Sequence, residues 1–226
     1  MNISVLERKL GVEYMTNNKK VEFDEVNVKR MNIVDEDGTI RMALSNKERF
    51  PPPFVIDGKP VGREGLPMAG ITFYNDEGFE CGALHFGSDK NEKDGPSQQV
   101  GLSFDPYYQN DAIDLGITEK DGKRDLTLDM YDQPNFPITD IAEILMNYES
   151  ASDEKKRKYI KELEEREAFP RKRISINKGF DGAAEIKLFD SKGNPRIRMA
   201  VDSNDIPRLE FLDQQGKVID SFLYDD

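Results

Sequence analysis

The amino-acid sequence predicts an all-β fold, an antiparallel meander, on three observations. A short turn pattern recurs along the chain, the segments beside it alternate apolar and polar residues, and only one stretch has helical spacing. We expect the strands to curl into a closed or nearly closed barrel, because closure removes exposed strand edges. A small β-propeller is the alternative, since Gly38 and Gly78 lie about 40 residues apart, roughly the length of a four-stranded blade.

The recurring pattern is an apolar residue, then Asp or Asn, two variable residues and Gly. It occurs in four copies and one degraded copy, which span residues 34–38, 74–78, 189–193, 212–216 and, degraded, 118–122. The Asp or Asn side chain accepts hydrogen bonds from the backbone ahead of it, and Gly adopts the left-handed conformation that ends a type I turn. Each copy therefore predicts a hairpin turn.

The segments beside these turns alternate with a period of two. Ile40, Met42 and Leu44 share one side of a predicted strand. The same alternation gives the rows Ile113, Leu115 and Ile117; Leu126, Leu128 and Met130; Ile197, Met199 and Val201; and Leu209 and Phe211. This is typical of half-buried strands and predicts roughly twelve of ordinary length.

Residues 138–170 break the alternation and predict a helical hairpin inserted into a single β domain, residues 1–226. Apolar residues recur there at the three-and-four spacing of an amphipathic helix. A second helix begins after Ser152, a good N-cap, and ends before Pro170. Its narrow apolar stripe consists of Tyr159, Ile160 and Leu163, which are candidates for docking on a partner.

The composition excludes several classes of function. The chain has 44 acidic and 32 basic residues and a net charge of −12, so nucleic acid and anionic membranes are not expected partners. One cysteine and one histidine cannot form an internal disulfide or a Cys/His zinc site. Asp35–Gly38 does not continue as a calcium loop, because Thr39 and Asn46 stand where further ligands are needed.

We accordingly expect no metal and no cofactor. The sequence contains no phosphate-binding loop, dinucleotide fingerprint or nucleophile elbow. Its first 20 residues lack the apolar region of a secretory signal, and no stretch reaches the roughly 20 apolar residues that span a bilayer. These features favour a cytoplasmic protein.

The densest polar and aromatic cluster, residues 102–111, is typical of a ligand-binding loop. The candidate ligand-binding residues are Asn75, Glu77, Glu80, His85, Asp105, Tyr107, Tyr108, Gln109 and Asp111. The alternative interpretation is a loop whose tyrosines cover the end of the core. Strict alternation over residues 79–86 places His85 and Glu80 on opposite faces, which argues against a Glu80–His85 pair. The preferred interpretation of His85 is therefore a histidine packed beside Cys81.

Four stretches of the chain resemble a family of uncharacterised bacterial all-β proteins with no assigned activity. They are residues 28–41, 45–51, 73–78 and 102–105, and the resemblance covers about residues 27–132. It implies a bacterial source and a β fold, and it assigns no functional residue. The chain departs from the family pattern at Cys81–Ala83, where the family has Asn-Gly-Gly, and at Asp105–Tyr107, where it has Asp-Gln-Tyr.

Three hypotheses of function follow. The first is a non-enzymatic module that binds a small molecule or a protein partner, with no catalytic residues. The second is an enzyme of the carboxylate acid-base type, using Asp105 or Asp111 with Glu77 or Glu80. It requires two such groups to converge with a perturbed pKa. The third is an interaction scaffold that docks through the inserted helix.

Overall fold

The computed structural model describes residues 22–51, 54–56, 59–61, 68–91, 95–148 and 150–223. The strands are β1 (Arg30–Val34), β2 (Ile40–Ser45), β3 (Phe54–Ile56), β4 (Lys59–Val61), β5 (Ala69–Tyr74), β6 (Glu80–Asn91), β7 (Gly95–Phe104), β8 (Ile113–Lys120), β9 (Lys123–Asp132), β10 (Arg171–Lys178), β11 (Ala184–Phe189), β12 (Pro195–Val201), β13 (Pro207–Leu212) and β14 (Val218–Leu223). The α-helices are α1 (Ala142–Asn147) and α2 (Asp153–Glu165), and 3₁₀ helices span Lys47–Arg49 and Ile138–Ile141.

The predicted antiparallel meander is confirmed as one sheet of twelve strands. Its order is β1-β2-β5-β6-β7-β8-β9-β10-β11-β12-β13-β14, and β3 and β4 form a separate two-stranded sheet. The predicted closure is not confirmed, because no ladder joins β1 to β14 among the described residues and these two strands are the sheet edges. The propeller alternative is wrong, since one continuous sheet replaces separate blades.

The predicted turns occur at the four well-matched copies of the pattern. In the β11–β12 turn, Asp190 Oδ1 accepts hydrogen bonds from the backbone N–H of Lys192 at 2.9 Å and of Asn194 at 3.0 Å. Gly193 closes the turn with φ at +82°. The same combination of an acceptor side chain and a left-handed glycine reverses the chain between β5 and β6, at Asn75 and Gly78.

Two other turns differ from the expected pattern. The degraded copy is a two-residue turn of Asp121 and Gly122, at φ +51° and +72°, between the paired residues Lys120 and Lys123. Positive φ at both central residues is the type I′ geometry that matches strand twist. Between β12 and β13, Asp205 takes the left-handed position at φ +63°, where the pattern would have glycine. Aspartate tolerates this conformation better than most residues do, so the pattern missed this turn.

One row of register partners carries an apolar residue on each of the twelve strands. It consists of Met31, Leu44, Ile71, Leu84, Leu102, Leu115, Leu128, Ile176, Ile186, Met199, Leu209 and Phe222. Partners that lie opposite each other point to the same side of a sheet. We call the surface formed by this row, and by the residues two positions away on each strand, the apolar face.

The apolar face is exposed along most of its length. Leu115 is 50% exposed, Met199 55% and Phe222 62%, and Leu44, Ile176 and Ile186 are also exposed. Large apolar side chains in a sheet ordinarily pack against a second layer of structure. In the described residues this sheet is a single layer.

The opposite surface, which we call the polar face, carries small and charged side chains. Thr72 and Ala83 are fully buried, and Ser103 nearly so. Toward β13 the face is held by ion pairs: Arg198 contacts Glu185 at 3.1 Å on one neighbouring strand and Glu210 at 3.2 Å on the other. The two faces of the sheet therefore differ completely in chemistry.

The helical segment lies between β9 and β10 and forms its own core at one end of the sheet. Ile138, Ile141 and Ile144 pack with residues of α2, together with Phe79 from the end of the β5–β6 turn and Phe136. The cap predicted at Ser152 is present, since its Oγ accepts a hydrogen bond from the Lys155 N–H at 3.4 Å. The helices thus stabilise the sheet at its turns.

We predict that Gly193→Ala lowers the free energy of unfolding by about 1 kcal/mol, because φ at +82° is unfavourable for a residue with a Cβ. A Cβ at this position would make only ordinary contacts, the nearest to Arg171 Cβ at 3.8 Å, so the effect is conformational. Gly193→Asn is the matched control and should cost less, since Asn tolerates the left-handed region. Urea denaturation measures both, and equal losses would contradict the explanation.

Candidate functional site

The aromatic loop after β7 is joined to the β5–β6 turn by one carboxylate. The hydroxyl of Tyr107 donates to both oxygens of Glu77, at 2.7 and 2.9 Å, and the hydroxyl of Tyr108 donates to Glu77 Oε2. The two rings meet edge to face with centroids 4.5 Å apart. Tyr108 adopts φ at +51°, an uncommon conformation for a tyrosine, and this directs its ring toward Phe79 at 4.4 Å.

The same loop also holds the start of the helical segment. The carbonyl of Tyr108 accepts a hydrogen bond from the Ile138 N–H at 2.9 Å. The Gln109 side-chain amide donates to the carbonyls of Pro134, at 2.8 Å, and Phe136. Glu77, Tyr107, Tyr108 and Gln109 therefore connect three parts of the chain, and their contacts match the interpretation of a loop that covers the end of the core.

Glu77 sets the protonation of the two tyrosines. Its hydrogen bond and its charge raise the pKa of Tyr107 to about 12, and the pKa of Tyr108 is raised for the same reasons. The hydroxyls in turn lower the pKa of Glu77, because they stabilise its carboxylate form. The cluster is thus an ionised carboxylate held by two neutral phenols at neutral pH.

A β-bulge at Cys81 changes the faces expected for Glu80 and His85. Gly82 pairs with Phe73 and Glu80 with Tyr74, so Cys81 is an extra residue in β6. Tyr74 and Thr72 point to the same side, and the bulge brings Glu80 to the polar face as well, where it is buried. The expected separation of Glu80 from His85 is therefore wrong, because it assumed uninterrupted alternation.

His85 lies on the polar face over a glycine of the next strand. It pairs with Gly101, and a Cβ built at position 101 would be 2.5 Å from His85 Nε2. A side chain at position 101 would thus displace the ring. Gly116 follows on β8 in the same row, so a strip of glycine backbone lies between His85 and the acidic residues of β8 and β9.

Asp114 and Asp129 form an acidic pair on this polar face. They are register partners across β8 and β9. Asp129 Oδ2 contacts the Lys172 ammonium at 2.6 Å and accepts a hydrogen bond from the Tyr131 hydroxyl at 3.1 Å. Asp129 Oδ1 is buried and has no hydrogen-bond partner among the described residues. Asp129 is therefore bound firmly through Oδ2, whereas its buried Oδ1 accepts no hydrogen bond among the described residues.

Burial raises the pKa of Asp114, and the charges of Asp111 and Asp129 raise it further, whereas His85 and Lys172 act in the opposite direction. These influences show that His85, Asp111, Asp114 and Asp129 share one electrostatic environment. Sequence reasoning included His85 and Asp111 but missed Asp114, Asp129 and Lys172. The alternation of β8 and β9 had placed Asp114 and Asp129 off the apolar rows, but it gave no sign that they pair.

The remaining candidates have other surroundings. Asn75 Oδ1 caps the β5–β6 turn by accepting from the N–H groups of Glu77 and Phe79. The Asp105 N–H donates to the carbonyl of Cys81 at 3.2 Å, beside the bulge. Burial raises the pKa of the Cys81 thiol, and the charge of Asp105 raises it further, which disfavours the reactive thiolate.

The proposed docking stripe of α2 serves the core of the chain itself. Tyr159 and Leu163 are buried in the helical core. Only Ile160 is half-buried. A partner could reach Tyr159 and Leu163 only if the helix left its own packing.

Two grooves run along the apolar face and adjoin at Ile176 and Ala184. The first has a volume of 660 Å³ and includes Leu102, Leu115 and Leu128 in its lining. The second has a volume of 760 Å³ and includes Met199 and Phe222. Both volumes are in the range of ligand sites, about 300–1,000 Å³, but each groove is a part of one longer apolar surface.

No protein-family model matches the chain, and no curated protein matches it either. Within the described ranges, no group of three or more His, Cys, Asp and Glu side chains could hold a metal ion. Nor does any described helix combine the length and apolar character needed to cross a membrane. Function is therefore inferred from the geometry of the molecule.

We predict that Glu77→Gln lowers the pKa of Tyr107 from about 12 toward the ordinary value of about 10, because the carboxylate that favours the neutral phenol is lost. The raised pKa stabilises the fold below about pH 10, and this contribution is lost as pH rises toward 12. Absorbance of tyrosinate at 295 nm measures the titration. Tyr107→Phe identifies the signal, and an unchanged high-pH transition in Glu77→Gln would contradict the role of Glu77.

We also predict that Asp129→Asn lowers the free energy of unfolding by about 1–3 kcal/mol, because Lys172 is left half-buried without its charge partner. The matched control is Asp132→Asn, which breaks the more exposed pair of Asp132 with Arg173 on the same two strands. That change should cost less than about 1 kcal/mol. Chemical denaturation compares them, and equal losses would show that burial of the pair is unimportant.

Proposed function

We propose that this protein is a non-enzymatic binding module and that its apolar face binds another polypeptide. The observation that carries the proposal is the uninterrupted apolar row across twelve strands, exposed on a sheet that is a single layer in the part of the chain that the structure describes. Isolated exposed apolar residues are normal on protein surfaces, but large contiguous patches mark interaction sites. The proposed binding site is therefore the apolar face of the sheet rather than the aromatic loop.

The size of the apolar face supports a protein partner over a small molecule. The exposed residues of the apolar face together present roughly 1,500 Å² of surface, several times the few hundred Å² usual for the largest apolar patch on a monomer. A ligand filling the 660 Å³ groove would leave the second groove and both ends of the row uncovered. A folded chain has the area to cover all of them.

The net charge of −12 disfavours a lipid surface as the occupant. Biological membranes carry anionic headgroups, which repel an acidic protein. The ends of the strands, where the face meets solvent, carry acidic turn residues such as Asp35, Asp213 and Asp190. These groups would have to approach the headgroups if the sheet lay on a membrane.

The carboxylate acid-base alternative has less support for the residues first considered. Glu77 is held in an exposed turn by two tyrosines, whereas Glu80 is buried on the polar face. Asp114 and Asp129 do meet, but Lys172 and Tyr131 already bind Asp129. A binding role through the other face of the sheet requires no change in these contacts.

Photo-crosslinking tests the proposed function. The photoreactive amino acid p-benzoylphenylalanine replaces Leu115 on the apolar face, and in the control it replaces Thr118 on the same strand but on the opposite side. We expect irradiation of cells of the source organism to attach a polypeptide at position 115 and none at position 118. Absence of a polypeptide product at position 115, or equal products at both positions, would contradict the proposal.

A further inference from the structure

We infer that the polypeptide on the apolar face is a second copy of this chain, bound face to face in a two-fold symmetric dimer. This inference rests on the proposed function, because it identifies the partner of the same surface. Four features of the face support it: its area, its extent, the scarcity of charge at its centre and its relief.

The area fits a permanent homodimer. Each copy would contribute roughly 1,500 Å², so that the dimer would bury about 3,000 Å², within the 2,000–5,000 Å² typical of obligate homodimers. Such interfaces resemble a domain core divided in two, and apolar side chains dominate them. The apolar face has this character, since its central row is apolar on every strand.

The extent of the face also favours a copy of the same chain. The row crosses all twelve strands of the sheet, so a partner that covers it must extend over the same twelve strands. Sheets pack face to face at about 10 Å, with their strands within about 30° of each other. A second copy has the required extent because it presents the same sheet, and in a two-fold dimer the same patch is used on both copies.

Charge would ordinarily oppose self-association of a chain with a net charge of −12. Within two positions of the central row, the described charged residues of the apolar face are Lys178 and Asp220. Lys178 turns its ammonium to the carbonyl of Arg124 at 3.1 Å, near the strand end.

Nearer the strand ends the same side of the sheet carries two ion pairs. Glu119 pairs with Arg124 at 2.8 Å, and Asp132 pairs with Arg173 at 2.5 Å. Most of the acidic residues lie on the polar face and in the turns, and Glu119 and Asp132 on the apolar side are each paired with an arginine, so two apolar faces can meet at their centre without bringing unpaired carboxylates together.

The relief of the face supplies both projections and recesses. Phe222 and Met199 are among its most exposed side chains and lie at the 760 Å³ groove. The 660 Å³ groove lies on the other side of Ile176. The grooves are recesses that side chains of the other copy would have to fill, because an interface requires close packing.

A second copy is also available whenever the chain folds. The described sheet has no second layer, and a sheet with one apolar face is stable only when that face is covered. A different partner would have to be produced at the same time and in the same amount as this chain. A second copy of the chain meets both conditions.

Light scattering coupled to size-exclusion chromatography, together with sedimentation equilibrium, tests the inference on the 226-residue chain. We expect twice the chain mass of 25.8 kDa for the unchanged chain and for Thr118→Lys. Leu115→Lys places the same charge on the apolar face of the same strand and should raise the dissociation constant of the dimer at least about 100-fold, because two buried ammonium groups oppose it. Circular dichroism verifies that each variant is folded.

If Leu115→Lys does not fold, the p-benzoylphenylalanine variant at position 115 decides, since it adds no charge. Mass spectrometry of its crosslinked product should find peptides of this chain from both partners. A monomeric natural protein whose position 115 crosslinks to a different protein overturns the dimer and leaves the proposed function standing. A monomer without any polypeptide product overturns both. A dimer that Leu115→Lys leaves intact places the interface elsewhere and overturns the inference.

Discussion

The structure depends on one constraint: twelve neighbouring strands each direct alternate side chains to opposite sides of a single sheet. The register keeps large apolar residues on one side from Met31 to Phe222. On the other side it collects small side chains at Ala83 and Ser103 and ion pairs around Arg198. Removal of apolar surface from water is the main favourable contribution to folding, and in the described residues much of the apolar face remains exposed.

Each local feature of the molecule is consistent with this division. The polar face is stabilised by ion pairs within the sheet, because neighbouring strands supply opposite charges such as those of Asp129 and Lys172. The helices complete one end of the sheet, where Glu77 and the two tyrosines join the loops. Neither group of contacts reaches the apolar rows of β11–β14, so these rows carry exposed side chains such as Met199 and Phe222 in the described residues.

Much of the fold could be predicted from the sequence because its signals are local. Asp190 and Gly193 are enough to define a turn, and a period of two is enough to define the strands beside it. Closure could not be predicted, because it depends on whether β1 and β14 meet, and no local pattern encodes a contact between sheet edges. The placement of Glu80 was missed for a similar reason: a single extra residue, Cys81, shifts the phase of the alternation without a composition signal.

The order of the strands has a consequence for how the chain is made. Except across the β3–β4 and helical segments, every ladder joins strands that are consecutive and separated by only a few residues. Contacts between near neighbours in sequence form quickly, since little chain entropy is lost in closing each loop. Each hairpin can therefore assemble as soon as its second strand leaves the ribosome. The edge strand of the part already formed is then available to pair with the next strand.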